Sequence, residues 1–191
     1  MKLFYNGPSP YGRKVIVAAH EFGLADRIDF RPFDPWKHSD EMLRLIPGGK
    51  VPALLTDDGL LVTESTTICE YFKMTATGPF LFDGEFAEVM ARTATAQGII
   101  DAGYTAVIEG RRPEDRRSQD WIERQRTALD RLLMVAQTRQ GRFDIGDMSL
   151  ACGLAYLDFR LPQLPWRREH PSLATWLDEV SQRPSMQKSK P

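Results

Sequence analysis

The pattern of apolar and polar residues divides the chain into two parts with different periodicities. Up to about residue 73, short apolar runs with strand-like spacing alternate with helical segments. From about residue 86 onwards, apolar residues recur at helical spacing and the strand signal stops. The pattern therefore predicts a mixed α/β domain followed by an all-helical domain.

The first part is predicted to contain strands and helices in the order β-α-β-α-β-β-α. A right-handed crossover makes the first two strands parallel, and the tight turn Asp57-Asp58-Gly59 makes the last two antiparallel. Thioredoxin-like folds have this arrangement. The predicted ranges are 2–5, 10–22, 28–33, 40–45, 53–56, 60–63 and 66–73.

The second part is predicted to form four or five helices separated by Pro and Gly clusters. Before it, the segment 74–79 lacks periodicity and ends in Gly78-Pro79, which indicates a linker. We therefore expect domains at 1–78 and 84–191. The predicted helical ranges are about 86–107, 114–139, 149–161 and 172–182.

Charge and composition narrow the possible partners. The 25 Lys and Arg residues nearly balance the 26 Asp and Glu residues, so no global field attracts nucleic acid or an anionic membrane. No apolar run has the length of a signal peptide or of the roughly 18–20 residues that span a bilayer. We expect a soluble, cytoplasmic protein. Cys69 and Cys152 lack disulfide or metal-ligand spacing, which predicts buried apolar side chains and no metal.

Arginines recur between residues 111 and 131, with acidic residues interleaved. A solvated helix face explains this pattern, and a site for an anionic ligand or partner is the alternative. The arginines are Arg111, Arg112, Arg116, Arg117, Arg124, Arg126 and Arg131.

Ser9 stands between a predicted strand and a helix whose first residue is Pro10. Serine is favoured as an N-cap, but its hydroxyl can also point at a ligand. A helix N-terminus favours an anion such as a thiolate. Lowering a thiol pKa of about 8.5 by about 2 units requires some 2.7 kcal/mol. One charged hydrogen bond contributes about 1.5–3 kcal/mol. Together with the helix dipole, it is enough to lower the thiol pKa by this amount.

Thioredoxin-like redox enzymes carry Cys-x-x-Cys at this turn, whereas this chain has Ser9 and Gly12 in the two positions. Without either sulfur, dithiol exchange is excluded there. The chemistry expected at the turn is therefore binding of a thiolate that comes from another molecule.

Two further pairs of residues have both a structural and a binding interpretation. Val51-Pro52 precedes an apolar strand and is either a structural turn or, with a cis bond, an edge for an extended peptide. Ser65 is either the N-cap of the next helix or part of a carboxylate site in which Glu64 faces an ammonium. Glu64 and Ser65 together would recognise both charges of an amino-acid head group, and beside the thiolate site at Ser9 this suggests a cysteine-containing peptide with a free amino-acid end.

In combination, these motifs resemble those of the glutathione transferase superfamily, whose members pair a thioredoxin-like domain with a helical domain and form homodimers. The resemblance covers essentially the whole chain. The segments that carry it are 9–15 (Ser-Pro-Tyr-Gly-Arg-Lys-Val), 49–54 (Gly-Lys-Val-Pro-Ala-Leu), 64–65 (Glu-Ser), 68–72 (Ile-Cys-Glu-Tyr-Phe), 171–177 (Pro-Ser-Leu-Ala-Thr-Trp-Leu) and 183–185 (Arg-Pro-Ser).

The resemblance implies that Ser9 stabilises the glutathione thiolate. Val51, before a cis Pro52, would pair its backbone with the cysteinyl part, and Glu64 with Ser65 would bind the γ-glutamyl end.

The glycyl carboxylate of glutathione needs a cation. Lys37 and Lys50 are the favoured candidates, and His38 lies nearby in the loop.

Residues of the first long helix of the second domain complete the implied site. Asp101 resembles an acidic residue that some members lend across the dimer, although a solvated helix position explains it equally well. Tyr11, Tyr104 and Ile108 are candidates for the electrophile pocket, with core packing as the alternative for the last two.

Three positions depart from the family's pattern. Gly49 stands where members often have a polar residue, and Thr66 stands where some members have an Arg. Two possible glutathione contacts are therefore missing. Cys152 stands where a capping box that starts at Ser149 needs Asp. We expect this half-box to cost up to about 1 kcal/mol and Cys152→Asp to raise the melting temperature.

The resemblance implies a serine-type detoxification enzyme that conjugates glutathione, as co-substrate, to a small hydrophobic electrophile. Glutathione-dependent peroxide reduction or ether cleavage would use the same thiolate. A non-catalytic dimeric scaffold is the alternative of another class, because fold does not fix function.

Overall fold

The computed structural model describes residues 1–37, 39–76, 86–139, 141 and 143–191. The chain forms two compact units. The first comprises Met1–Leu81 together with Pro184–Pro191, and the second comprises Phe82–Arg183.

The first unit contains a four-stranded mixed sheet with the strand order β2-β1-β3-β4. Strand β1 runs parallel to β2 and antiparallel to β3, and β4 runs antiparallel to β3. This topology confirms the predicted thioredoxin-like domain. The elements are β1 (Lys2–Tyr5), α1 (Pro10–Glu21), β2 (Asp29–Pro32), α2 (Asp40–Leu45), β3 (Ala53–Leu55), β4 (Leu61–Thr63) and α3 (Ser65–Thr75).

Successive side chains of β1 point to opposite faces of the sheet, which places Leu3 and Phe4 in different layers. Phe4 packs with Phe33, Ile46 and Ala53, and partly buried residues of α2 cover this cluster. On the other face, Leu3 pairs with Leu54, and both are fully buried. Helices α1 and α3 pack against each other and bury apolar residues, including Val15, Ile68 and Phe72.

The second unit is all-helical in its described part, which confirms the predicted architecture. The long α4 packs against both α5 and α6, and α8 packs against α6 and α7. The elements are α4 (Phe86–Gly110), α5 (Gln119–Val135), α6 (Ile145–Arg160), α7 (Trp166–Glu169) and α8 (Pro171–Val180).

Two helix starts of the second unit differ from the prediction by four or five residues. Helix α5 begins after the N-cap Ser118, whose hydroxyl accepts from the Trp121 amide, and residues 114–116 form a separate 3₁₀ turn. Helix α6 begins at Ile145 rather than at Ser149.

The predicted half-box at Ser149 and Cys152 is wrong. A complete capping box joins Asp144 and Asp147: the Asp144 carboxylate accepts from the Asp147 amide, and the Asp147 carboxylate accepts from the Asp144 amide. Ser149 lies inside the helix and donates its hydroxyl to the Ile145 carbonyl at 2.7 Å. Cys152 is fully buried.

The predicted second domain, 84–191, is corrected at its end. Helix α9 (Pro184–Lys188) belongs to the first unit and packs on α1. The Arg13 guanidinium donates to the Met186 carbonyl at 3.2 Å, and the Ser185 hydroxyl donates to Glu21. Such contacts join residues far apart in the sequence, so helical periodicity did not reveal them. Residues 74 and 75 of the predicted linker, 74–79, belong to α3, and residues 77–79 lie outside the described residues.

Both cysteines are buried and unbridged, as predicted. Within the described ranges, no helix is long and apolar enough to cross a membrane. In the same part of the chain, no cluster of His, Cys, Asp and Glu is arranged to hold a metal ion.

Candidate functional site

The sheet topology brings three of the predicted binding segments to one end of the first unit. Strands β1 and β4 run in the same direction because each is antiparallel to β3. Their C-terminal ends, and with them the starts of α1 and α3, therefore lie at the same edge. The pairing of Phe4 with Ala53 places Val51 and Pro52, just before β3, at this edge too.

Ser9 is the N-cap of α1, with extended backbone angles and Pro10 as the first helical residue. Its Oγ accepts from the Gly12 amide at 3.3 Å. This bond uses an oxygen lone pair, so the hydroxyl proton remains able to donate to a ligand. The cap and a thiolate contact are therefore compatible.

The peptide bond between Val51 and Pro52 is cis. Lys50, immediately before it, is exposed, and so is Lys37 in the loop between β2 and α2. Gly49 has a φ of +58°, in the left-handed region that favours glycine. The third candidate cation, His38, lies outside the described residues.

Glu64, rather than Ser65, is the N-cap of α3. Its carboxylate accepts from the amides of Thr66 at 2.9 Å and Thr67 at 3.0 Å. Ser65 is the first helical residue, is buried, and donates its hydroxyl to Glu64 at 3.1 Å. The longer Glu side chain reaches both free amides, which explains why the helix starts one residue earlier than predicted.

The backbone of Glu64 is strained, with φ of 71° and ψ of 130°. No other non-glycine residue of the described chain has a positive φ. Such conformations cost about 1–3 kcal/mol and cluster at ligand sites. The strain singles out Glu64 independently of the family resemblance.

The protonation state of Glu64 reflects two opposing effects. Burial opposes ionisation, but the amides of Thr66 and Thr67, the charge of Lys14 and the Ser65 hydroxyl together hold the pKa of the carboxyl below its ordinary value. The side chain is therefore an anion at neutral pH, as contact with an ammonium requires.

Lys14 lies next to the polar residues at the N-terminus of α3, and the sequence analysis did not identify it as part of the site. Its side chain is fully buried, and its Nζ donates to the Thr66 hydroxyl at 3.0 Å. A buried ammonium is costly unless it is paired and hydrogen-bonded. The signal that would have revealed it is helical spacing, because Lys14 lies four residues from both Pro10 and Ala18, which are buried.

The remaining predicted residues occupy two places. Tyr11 is the second residue of α1 and is half-buried, whereas Asp101, Tyr104 and Ile108 lie on α4 of the second unit. Asp101 is exposed and accepts from Gln97 at 2.9 Å. Burial raises the pKa of Tyr104, whose ring lies 6.4 Å from that of Tyr156. Their binding roles stay predictions.

The fold and this end of the sheet define a thioredoxin-like protein with an appended helical unit and a serine in place of a redox cysteine. Residues 8–74 match the family model of the glutathione S-transferase N-terminal domain, and residues 119–179 match that of the C-terminal domain. The chain belongs to the glutathione transferase superfamily.

Comparison with individual proteins agrees with this assignment. A glutathione transferase family member from Pseudomonas fluorescens Pf-5, solved with bound glutathione, is 36% identical, with a TM-score of 0.93 over 100% of this chain and 98% of that one. A glutathione S-transferase from Methylobacterium radiotolerans, in complex with glutathione sulfonate, is 31% identical, with a TM-score of 0.89 over 100% and 94% of the chains. The GST-like protein YibF of Escherichia coli is 28% identical over 100% of this chain and 98% of its own length.

Proposed function

We propose that this protein is a serine-type glutathione transferase, which holds the glutathione sulfur as a thiolate beside Ser9. The observation that carries the proposal is the convergence of the Ser9 hydroxyl, the Val51 backbone and the Glu64–Ser65 pair at one edge of the sheet. Related proteins of the same architecture were solved with glutathione or glutathione sulfonate bound.

Each part of glutathione has a proposed partner. The γ-glutamyl ammonium would contact the Glu64 carboxylate, and its carboxylate would lie at Ser65 and the N-terminus of α3. The backbone of Val51 would pair with the cysteinyl residue. Lys37 or Lys50 would neutralise the glycyl carboxylate, since both are exposed at loops of the first unit.

In the proposed reaction, the thiolate attacks an electrophilic carbon and forms the new carbon–sulfur bond, while the leaving group departs with its electron pair. The protein's contribution is to lower the thiol pKa and to orient the sulfur. We propose a small hydrophobic electrophile, with Tyr11, Tyr104 and Ile108 as candidates for its pocket. A homodimer in which Asp101 approaches the γ-glutamyl end belongs to the same proposal, and both assignments rest on the family resemblance.

The test is Ser9→Ala, followed by ultraviolet titration of the bound thiol and by turnover with a model electrophile such as 1-chloro-2,4-dinitrobenzene. We expect glutathione binding to persist, the thiol pKa to return towards about 8.5, and turnover to fall at least tenfold. Ser118→Ala, which removes a similar N-cap in the second unit, is the control for loss of a cap and should leave turnover unchanged.

Three outcomes would contradict parts of the proposal. Failure to bind millimolar glutathione would favour a non-catalytic scaffold. Binding with an unshifted thiol pKa would remove the role of Ser9. Unchanged turnover in Ser9→Ala would transfer that role to another hydroxyl, with Tyr5 and Tyr11 as the candidates.

A further inference from the structure

A cavity of about 370 Å³ in the second unit is lined by four arginines and by no acidic residue of the described chain. It lies between the end of α4, the start of α5 and the end of α6. Two of the arginines lie in the connection between α4 and α5, one lies on α5 and one is the last residue of α6. They are Arg111, Arg117, Arg126 and Arg160.

Two of the neighbouring arginines, Arg112 and Arg116, have acidic partners. Arg112 pairs with Glu109, and Arg116 lies within 4.0 Å of Asp115, as expected for solvated surface residues. None of the four cavity arginines forms an ion pair with a residue that the structure describes. Their positive charges therefore converge around the cavity without an ion-paired carboxylate of the described chain, an arrangement that an anion would stabilise.

Two of the cavity arginines also have an unused donor. The Nε atoms of Arg117 and Arg160 are buried and have no hydrogen-bond partner. Leaving a buried donor unsatisfied costs about 1–3 kcal/mol, and more for a charged group. Arg117 is held in place by a bond of 3.0 Å to the Arg112 carbonyl. Glu109 attracts Arg117, but its carboxylate already accepts from Ser118 and Arg112.

The rest of the cavity wall is mainly apolar. Ala106 and Val107 of α4, Ile122 of α5 and Leu161 after α6 contribute to it. A volume of about 370 Å³ suits a small organic molecule rather than an inorganic ion alone. The wall and the arginines together fit a ligand with an apolar body and an anionic head group.

We propose that this cavity binds a small aromatic or aliphatic acid, with its carboxylate on Arg117 and Arg160 and its apolar part against Ile122 and Leu161. The site is built within the second unit and does not depend on glutathione chemistry in the first. Arg111 and Arg126 add positive potential that attracts the acid and raises its affinity.

The probe pair is 2-naphthoate and its uncharged analogue 2-naphthamide, titrated calorimetrically into the full chain with S-methylglutathione in excess. S-methylglutathione occupies the proposed thiol-binding cleft, so that the signal does not come from that cleft, and variants of the cavity arginines distinguish the cavity from the proposed electrophile pocket. We expect 2-naphthoate to bind at least about tenfold more tightly than the amide, because a charged hydrogen bond contributes more than a neutral one. Its affinity should fall as salt is raised.

The matched variants are Arg160→Met and Arg117→Met, with Arg124→Met as the control, because Arg124 is exposed on α5 and does not line the cavity. We expect each cavity variant to weaken 2-naphthoate binding at least about tenfold and the control to leave it unchanged. Equal loss in the control would indicate bulk charge instead of a site. Two results with the parent protein alone would overturn the proposal. One is equal affinity for 2-naphthoate and 2-naphthamide, and the other is no binding of 2-naphthoate at about 1 mM.

Discussion

At the scale of single residues, the side chains of the candidate cleft cap helices by accepting hydrogen bonds from backbone amides, and they remain able to contact a ligand. The Ser9 oxygen accepts from Gly12 while its proton remains available, and the Glu64 carboxylate caps α3 while its backbone is held at a positive φ. Lys14 adds a buried positive charge beside Thr66. The N-termini of α1 and α3 therefore combine helix capping with polar groups that are suited to a ligand.

The lowered pKa of Glu64 gives a pH dependence of stability. Because the folded-state pKa lies below the unfolded value, the carboxylate contributes stability above about pH 4.5 that is lost as pH falls through the folded pKa. Glu64→Gln removes this titration. We expect urea unfolding to show a smaller loss of stability on acidification for the variant, by less than about 1 kcal/mol because solvent screens the group. Identical acid profiles for variant and parent would contradict the prediction.

At the scale of elements, caps decide where the helices begin. In α6, two stretches have capping-box spacing, Asp144 to Asp147 and Ser149 to Cys152. Only the first supplies a side-chain acceptor at both ends, and Arg92 pairs with both of its carboxylates. Burial raises the pKa of Asp147, so the pairing with Arg92 offsets part of the cost of keeping this carboxylate charged.

Because the capping box is formed by Asp144 and Asp147, Cys152→Asp is now expected to lower the melting temperature, not to raise it. Cys152 is fully buried inside α6, so a carboxylate there would be an unpaired charge in the core. We expect the substitution to lower stability by about 3–5 kcal/mol, measured by thermal or urea unfolding. Cys152→Ala, which removes the sulfur without adding charge, should cost clearly less. If Cys152→Asp had the same melting temperature as the parent protein or a higher one, this prediction would be contradicted.

At the scale of the whole molecule, the chain forms the first unit, continues into the helical unit, and returns with its last eight residues to the first. Met186 of α9 is fully buried, and the adjacent Ser185 hydroxyl bonds to Glu21 of α1. The α/β unit therefore includes a segment more than 100 residues away in the sequence. Its stability should depend on that segment.

Met186→Ala tests this dependence. Truncating a fully buried methionine leaves a cavity, and we expect a loss of about 2–5 kcal/mol in urea unfolding of the full chain. Met74→Ala is the matched control, because Met74 lies in α3 of the same unit and is 85% exposed. Its effect should stay within about 0.5 kcal/mol. If the two variants lose similar stability, α9 is not part of the core.

Much of the fold was predictable because its signals are local. The sequence predicted β1 and α2 with the observed bounds, and it predicted the start of α1 from Ser9 and Pro10. Short-range periodicity and capping chemistry suffice for such elements. Helices α7 and α9 were missed, since four or five residues are too few to establish a helical period.

By itself, the sequence determined the two architectures, the order of the cleft segments and the lack of sulfur at positions 9 and 12. Only the tertiary structure decided that Lys14 is buried beside Thr66 and that α9 joins the first unit. It also brought together four arginines, from Arg111 to Arg160, around one cavity. The physical reason is that periodicity and capping act over one or two helical turns, whereas burial and the convergence of charges depend on packing between distant segments.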